Sequence, residues 1–487
     1  MRAGPIARGN PQSRHGILSH MKPIDMRFPR LVSNWRLIIV IYLALFLPLF
    51  RPVVSVVDPV GYYSWSRSLL IDGDLNVADE FAHYGMDGGV PTTPTGYLHN
   101  QWAAGSSLIW LPGMMAAHAA VTLSARLGAP VAADGYSWPY AWAASLTSTI
   151  TGLGAVLLSY LLARKLFGVF PSLLSAIAVW LASPLVFYQY HQPLMSHAND
   201  AWLWALFVLV WWDARQHNYR PTSMLGLGLV IGAAVWVRTQ NLLLLFVVLV
   251  ETGFDLVSGA RHSGWKISTR HALKRVAPLS VGFASLFVPL ALFWHTVYGV
   301  WIVNTYQATG GGTFDWHAGH LLEVLFSTDR GLLVWMPIAF LCIIGVKWLF
   351  QADRRLTLVL SGAALLHLYV VSSWSWWFGG AAFGPRFWIV LTPFFTLGLA
   401  AFVNHLDHTV HVPRLALIGL SSLFVVWNFL LMLQYSLGLV ASSGPVDLGA
   451  MIKNQFIVAP QILERVLMRL SRVRIPSMLT DGRPAVT

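Results

Sequence analysis

Eleven apolar blocks run through this sequence, at residues 37–50, 141–162, 172–188, 202–212, 224–237, 242–250, 278–294, 332–344, 356–371, 387–403 and 415–433. With their flanks, most supply the ~20 residues that cross a hydrocarbon core of about 30 Å. Composition agrees, since 56% of the 487 residues are apolar and 11% are charged, against roughly 25% charged in a soluble domain. A water-soluble globule is excluded. Backbone groups inside lipid have no water to bond, so the blocks must satisfy themselves as helices. The expectation is an all-α, polytopic membrane protein of about eleven transmembrane helices. Its one cysteine, Cys342, lies inside a block, which excludes a disulfide framework or a cysteine cluster.

The formal charge of +12, from 32 basic and 20 acidic residues, would suggest nucleic acid in a soluble protein. Its distribution says otherwise. Starting from a cytoplasmic N-terminus, the loops assigned inside carry the basic run 2–36, Arg164 and Lys165, Arg215 and Arg220, the run 261–275, the run 347–355 and Arg414. The outside loops carry few, among them Arg67, Arg126, Arg330 and Arg386. That asymmetry sets orientation in a membrane, so the excess charge is topology and no nucleic-acid partner is expected. The same rule resolves residues 221–256, which are too long for one span. A single crossing would put the basic run 261–275 outside, so two short helices are expected to meet near Arg238, Thr239, Gln240 and Asn241.

Three regions follow. Residues 1–33 are basic and rich in Pro, Gly and Ser, as in a disordered cytoplasmic leader, and Met21 and Met26 offer alternative starts. Residues 34–440 form the transmembrane domain. Residues 441–487 are a tail in which Ile462, Leu463, Val466, Leu467 and Leu470 recur at helical spacing opposite Arg465, Arg469 and Arg472, the pattern of a helix lying on a membrane surface.

Within the transmembrane domain the acids are unevenly placed. Asp58, Asp72, Asp74, Asp79, Glu80, Asp87 and Asp134 all fall in one large outer loop, residues 55–137. That loop holds two further apolar stretches, 62–71 and 102–127; the second is long enough to cross, but making it a span would invert the charge pattern downstream, so it is expected as a helix lying along the outer interface or dipping in and out. Asp58 stands just past the first span. A carboxylate at the membrane edge can take a proton from a hydroxyl arriving from water, or it can cap the helix that follows Pro59.

The large first outer loop with Asp58 beyond the first span, the "ARKLFG" ending the second span and the "SWWFGGAAFGPRF" before a late one resemble the GT-C integral-membrane glycosyltransferases. The nearest in kind are bacterial relatives of protein O-mannosyltransferases and lipid A aminoarabinose transferases. The resemblance implies a bacterial inner-membrane enzyme with an extracytoplasmic site. It also implies a polyprenyl-phosphate sugar donor, a glycan, lipid or protein acceptor, and Asp58 as catalytic base. Those families often carry two adjacent acids there, whereas this chain has Asp58-Pro59.

Sugar transfer from a phosphate needs no general acid, because phosphate leaves as a stable anion; glycosidases, whose leaving group is an alcohol, need two carboxyl groups. One base and cationic clamps suffice. Arg386, after a Gly-rich turn, is the first clamp candidate, with a snorkelling anchor as its other role. Arg330, beside Asp329, is the second, and it can instead pair with a carboxylate. Asp79, Glu80 and His197 are expected to seat donor or acceptor. His191, His317 and His320 are weaker candidates, the last two near a glycine run, 310–312, that suits a mobile loop. The spacing of His191 and His197 matches no standard metal pattern. Asp72-Gly73-Asp74 begins like a calcium loop but carries Val77 and His83 where that loop needs Gly and Glu. No cofactor is assigned, and a divalent metal stays open. Arg238 between two short helices must reach water, a carbonyl or a headgroup. Together with those short helices it favours the rival class, a transporter or flippase of a lipid-linked or small solute.

Overall fold

The computed structural model describes residues 35–458, apart from 56, 308 and 309, together with residue 461. The leader and the amphipathic helix expected around 462–472 lie outside the described residues. Helix α1 (Trp35–Leu49) leads into the outer loop, which folds as α2 (Val57–Arg67), α3 (Ala78–His83) and α4 (Gly105–Arg126). The body continues through α5 (Trp138–Phe167), α6 (Val169–Leu181), α7 (Leu185–Tyr190), α8 (His197–Gln216), α9 (Pro221–Val237), α10 (Leu244–Ser263) and α11 (Trp265–Tyr298). Beyond a second long segment come α12 (Leu321–Phe326), α13 (Leu332–Trp335), α14 (Ile338–Ala352), α15 (Arg354–Ser372), α16 (Thr392–His405) and α17 (Arg414–Ser436). Among the described residues there is no strand, and two isolated bridges join Thr92 to Leu98 and Phe314 to Trp374. Seven helical segments are long and apolar enough to cross a membrane, and α1, α6, α9 and α14 are shorter apolar helices beside them. The protein is an all-α polytopic membrane protein.

The eleven apolar blocks all fall on helices, with local differences. The block 172–188 breaks between α6 and α7 just before Pro184, and 332–344 breaks between α13 and α14 at Pro337, since proline cannot donate to a continuing helix. Residues 221–256 divide as expected, with α9 ending at Val237 and a 3-10 turn, Thr239–Leu243, before α10. The basic run 261–275 is a correction. It is not a loop: α10 and α11 are separated by Gly264 alone, at φ +81°. The 34 residues of α11 extend about 51 Å, so the helix outruns the hydrocarbon core and carries its basic first turns beyond it.

Helix α4 is also long enough to cross, yet its contacts with α5 join Trp110 to Ser148, Gly113 to Thr147 and His118 to Tyr140. It therefore runs antiparallel along the first third of α5 and past its start. In the orientation expected from the charges, this is the outer end of α5.

Two backbone-to-backbone crossings stiffen the body. A Cβ at Gly345 on α14 would stand 1.8 Å from the Gly398 carbonyl on α16, and one at Gly228 on α9 would stand 2.1 Å from the Leu279 carbonyl on α11. Small residues at such crossings let membrane helices pack tightly. These pairs fix α16, which follows the turn that begins at Arg386, and α9, which ends at Arg238.

Candidate active site

Asp58 occupies the first turn of α2, and residues of the same outer loop set its surroundings. A side chain at Gly61 would meet the Trp102 ring at 1.9 Å, so only glycine lets that ring pack here. Asn100 holds both partners, donating to the Gly61 carbonyl at 2.9 Å and accepting from the Trp102 backbone N–H at 3.0 Å. The indole Nε1 of Trp102 then donates to Asp58 Oδ1 at 3.1 Å.

The other carboxylate oxygen meets a cation from far along the chain. Arg386 Nη1 donates to Asp58 Oδ2 at 2.8 Å across 328 residues of sequence. Arg386 begins the 3-10 turn Arg386–Leu391 that leads into α16. The turn before it is tied to α7 by the Tyr188 hydroxyl, which accepts from Phe383 N at 3.0 Å and donates to the Phe383 carbonyl at 3.2 Å. Gly379, at φ +81°, leaves room for the guanidinium, since a Cβ there would stand 2.9 Å from Arg386 Nε. That nitrogen is buried without a hydrogen-bond partner. Gly379→Ala is therefore expected to displace Arg386 and to cost about 1–3 kcal/mol in backbone strain. The measurable outcome is a lower Tm, whereas an unchanged Tm would separate this glycine from the Arg386 position.

A second cation lies across one aromatic ring. The guanidinium carbons of Arg238 and Arg386 are 5.4 Å and 5.6 Å from the centre of the Phe387 ring. Arg238 Nε donates to Ser196 Oγ at 3.1 Å, Nη2 approaches His197 Nε2 at 3.4 Å, and the group pairs with Asp200 Oδ2 at 3.6 Å. Ser196 Oγ in turn donates to the Tyr62 hydroxyl at 3.2 Å. The His197 ring packs on Tyr188 at 4.6 Å. Tyr306 is within electrostatic range of Asp58, Tyr62, Arg238 and Arg386 alike. Two carboxylates, Asp58 and Asp200, and two guanidinium groups thus converge from α2, α8, the end of α9 and the turn that leads into α16.

Asp58, Arg386 and His197 are brought together, whereas Arg330, Asp79 and Glu80 are not. Arg330 is spent on structure: Nε reaches the Ala382 carbonyl at 3.0 Å, Nη1 reaches Asp329 at 2.5 Å and the Gly444 carbonyl at 2.8 Å, and Nη2 reaches the Ala441 carbonyl at 2.8 Å. It tethers the segment after α17 to the turn before Arg386, with little left for a phosphate. Asp79 is exposed. Glu80 is buried at the other end of α2, where Arg67 Nη1 donates to it at 3.0 Å. The nine-residue rise from Asp58 to Arg67 is about 14 Å, so the Glu80 pair is separate from Asp58.

Burial pushes the Glu80 carboxyl up to about 7, against the opposing pull of Arg67. An acid whose folded-state pKa is raised contributes stability that is complete below its unfolded value and lost as pH rises through the folded one. The window is 4.5 to about 7. Across it, wild type is expected to lose thermal stability relative to Glu80→Gln, by on the order of 2 °C, read from melting curves of both proteins at each pH.

The remaining candidates are placed elsewhere. His191 lies 3.5 Å from Arg51 Nη1, and burial with that cation pushes it down to about 4. His317 is exposed beside Asp315, and His320 lies against Trp377. The Asp72-Gly73-Asp74 triplet closes the turn after α2, Asp72 on Arg67 and Asp74 accepting from Ser68 Oγ at 2.8 Å. Among the described residues no three His, Cys, Asp or Glu side chains come together to hold a metal ion. The groups fixed on Asp58 are donors, Arg386 and the Trp102 N–H. Sequence reasoning missed Gly61, Asn100, Trp102 and Tyr62, and gave Arg238 no place beside Asp58.

No protein-family model matches the sequence, and no curated protein matches it. Among solved structures, the oligosaccharyltransferase of Archaeoglobus fulgidus, in complex with Zn and sulfate, aligns with a TM-score of 0.51 at 12% identity, covering 85% of this chain and 54% of that one. The chain shares the fold of that oligosaccharyltransferase. ArnT from Cupriavidus metallidurans aligns in its apo state at TM-score 0.45 and 14% identity, covering 86% of this chain and 74% of that one. Its undecaprenyl phosphate complex aligns at 0.48 and 16%, covering 87% and 75%. At such identities the likeness is one of fold. In this chain the loop after α1 and the turn before α16 are the parts that meet at Asp58.

Proposed function

We propose that the protein is a membrane glycosyltransferase that moves a sugar from a polyprenyl-phosphate donor to an acceptor hydroxyl at the extracytoplasmic face. The observation that carries this reading is the Asp58 carboxylate held at 2.8 Å by Arg386, with Arg238 facing the same Phe387 ring. A base and paired cations are what displacement of a phosphate by an alcohol requires.

The acceptor oxygen attacks the anomeric carbon as its proton passes to Asp58. The bond from the anomeric carbon to the phosphate oxygen breaks, its electron pair leaving with the polyprenyl phosphate, and the new glycosidic bond forms with inversion. Arg386 and Arg238 take up the charge that develops on the departing phosphate. Trp102 holds Asp58 by one oxygen, and His197 and Ser196 orient Arg238. A donor with a polyprenyl tail also accounts for a catalyst embedded in a bilayer. Arg238, the feature that favoured transport, has its partners in this same group. The bacterial inner membrane and the outward-facing site belong to this proposal.

The test is reconstitution. Protein in proteoliposomes is given a polyprenyl-phosphate sugar labelled in the sugar, with candidate hydroxyl acceptors. Label in a new glycoside supports the reading, while label that crosses the bilayer still attached to its lipid replaces it with a flippase.

A further inference from the structure

We infer that the protein has a second anion site at the opposite membrane face, a pocket for a phosphate group between the inner ends of α9, α10 and α11. The 17 residues of α9 rise about 26 Å, close to the thickness of the hydrocarbon core. Arg238 stands at one end of this helix and Arg220 at the other, so the pocket is a membrane thickness away from the Asp58 site. It is a cavity of about 460 Å³, lined by Arg220, Lys274 and Arg275, with His217 and His271 beside them and Asp255 as its one carboxylate.

The positive-inside rule explains why lysine and arginine are numerous on this face, but not why they ring one cavity. The charges are arranged in two groups. Asp255 binds Arg275 and also Arg355, the latter at 2.7 Å, and Glu251 binds Arg355 and the Tyr219 hydroxyl. Arg275 is further held 3.9 Å over the Tyr219 ring. The two acids and two arginines compensate one another and form a fixed wall. Arg220 and Lys274 remain exposed, and among the described residues neither is paired with a carboxylate. The pocket therefore keeps an excess of two positive charges above its neutralised wall.

A compact, multiply charged anion satisfies such a wall and rim, and phosphate is the one a membrane supplies in quantity. The apolar side of the rim fits a lipid source: Ile267 lines the cavity and is 51% exposed, and Leu273, beside Lys274, is 61% exposed. An anionic phospholipid would set its headgroup on Arg220 and Lys274 with its chains along these residues. Basic pockets between membrane helices on the cytoplasmic side bind such headgroups.

The experiment compares full-length protein in mixed micelles of a zwitterionic phospholipid with increasing phosphatidylglycerol, and separately with inorganic phosphate. Bound lipid is counted by native mass spectrometry and stability is followed by melting. Wild type is expected to retain phosphatidylglycerol selectively, and Arg220→Ala/Lys274→Ala to weaken that retention by roughly 30-fold. Arg261→Ala/Lys266→Ala removes the same charge from the same face outside the cavity and is expected to leave it unchanged. Stabilisation by inorganic phosphate to the same extent, lost in the first variant alone, identifies the ligand as a soluble phosphate in the same pocket. Equal loss in both variants, or no preference for the anionic lipid, overturns the site. None of these residues takes part in the proposed transfer, so failure here leaves that reading standing.

Discussion

Asparagine at position 58 is expected to slow sugar transfer by roughly a thousand-fold, within the range that a general base contributes, while the protein folds normally. The amide keeps the size of the carboxylate and still accepts from Trp102 Nε1, so the outer loop has no reason to rearrange. It cannot take the proton. The same change has a second, opposite effect on donor affinity. In the free site Asp58 competes with any phosphate for Arg386, and removing that competitor is expected to tighten binding of polyprenyl phosphate by roughly ten-fold, the worth of one charge-assisted hydrogen bond. Single-turnover rates with labelled donor and equilibrium binding of the unlabelled lipid phosphate measure the two effects separately. Transfer at the wild-type rate would remove Asp58 as the base.

Glutamine at position 386 is expected to weaken both donor binding and transfer, with a loss in rate of roughly a hundred- to a thousand-fold from the missing charge stabilisation. Lysine should rescue little of it, because an ammonium lacks the planar fork that can hold a phosphate and a carboxylate side by side. Removing Arg386 also strands a partly buried carboxylate, so Arg386→Gln should be less stable than Asp58→Asn/Arg386→Gln. A cycle through the two single variants and the double one isolates that coupling. Additive melting shifts would mean that the ion pair contributes nothing to the folded state. Donor binding insensitive to Arg386→Gln would take this residue out of the mechanism and leave the phosphate to Arg238.

Much of the body was legible because lipid imposes a simple rule on sequence: a block of apolar residues is a helix, and basic residues mark one face. That rule placed every one of the eleven apolar blocks on helices, and it divided 221–256 at Arg238. It failed where helices continue outside the core. Residues 261–275 looked like a loop because charge suggests exposure, yet a helix projecting into water is as charged as any loop, and only Gly264 breaks it. The site was legible in part for a related reason. Asp58 and Arg386 stood out as charges at span mouths, where charge is scarce. Gly61, Asn100 and Trp102 did not, because their effect depends on one ring lying where another residue has no side chain, which no periodicity encodes. Arg330 drew notice for the same scarcity as Arg386. What separates them is the set of carbonyls around Arg330, supplied by residues 382, 441 and 444, and that set exists only after folding.

The ion pair between residues 58 and 386 also has a consequence for biosynthesis. At the usual pace of roughly 5–20 residues per second, the ribosome exposes the acid tens of seconds before its cationic partner is made. Throughout that interval the nascent outer loop holds a carboxylate with no counter-charge, and every truncated product ending before the late Gly-rich turn lacks it for good.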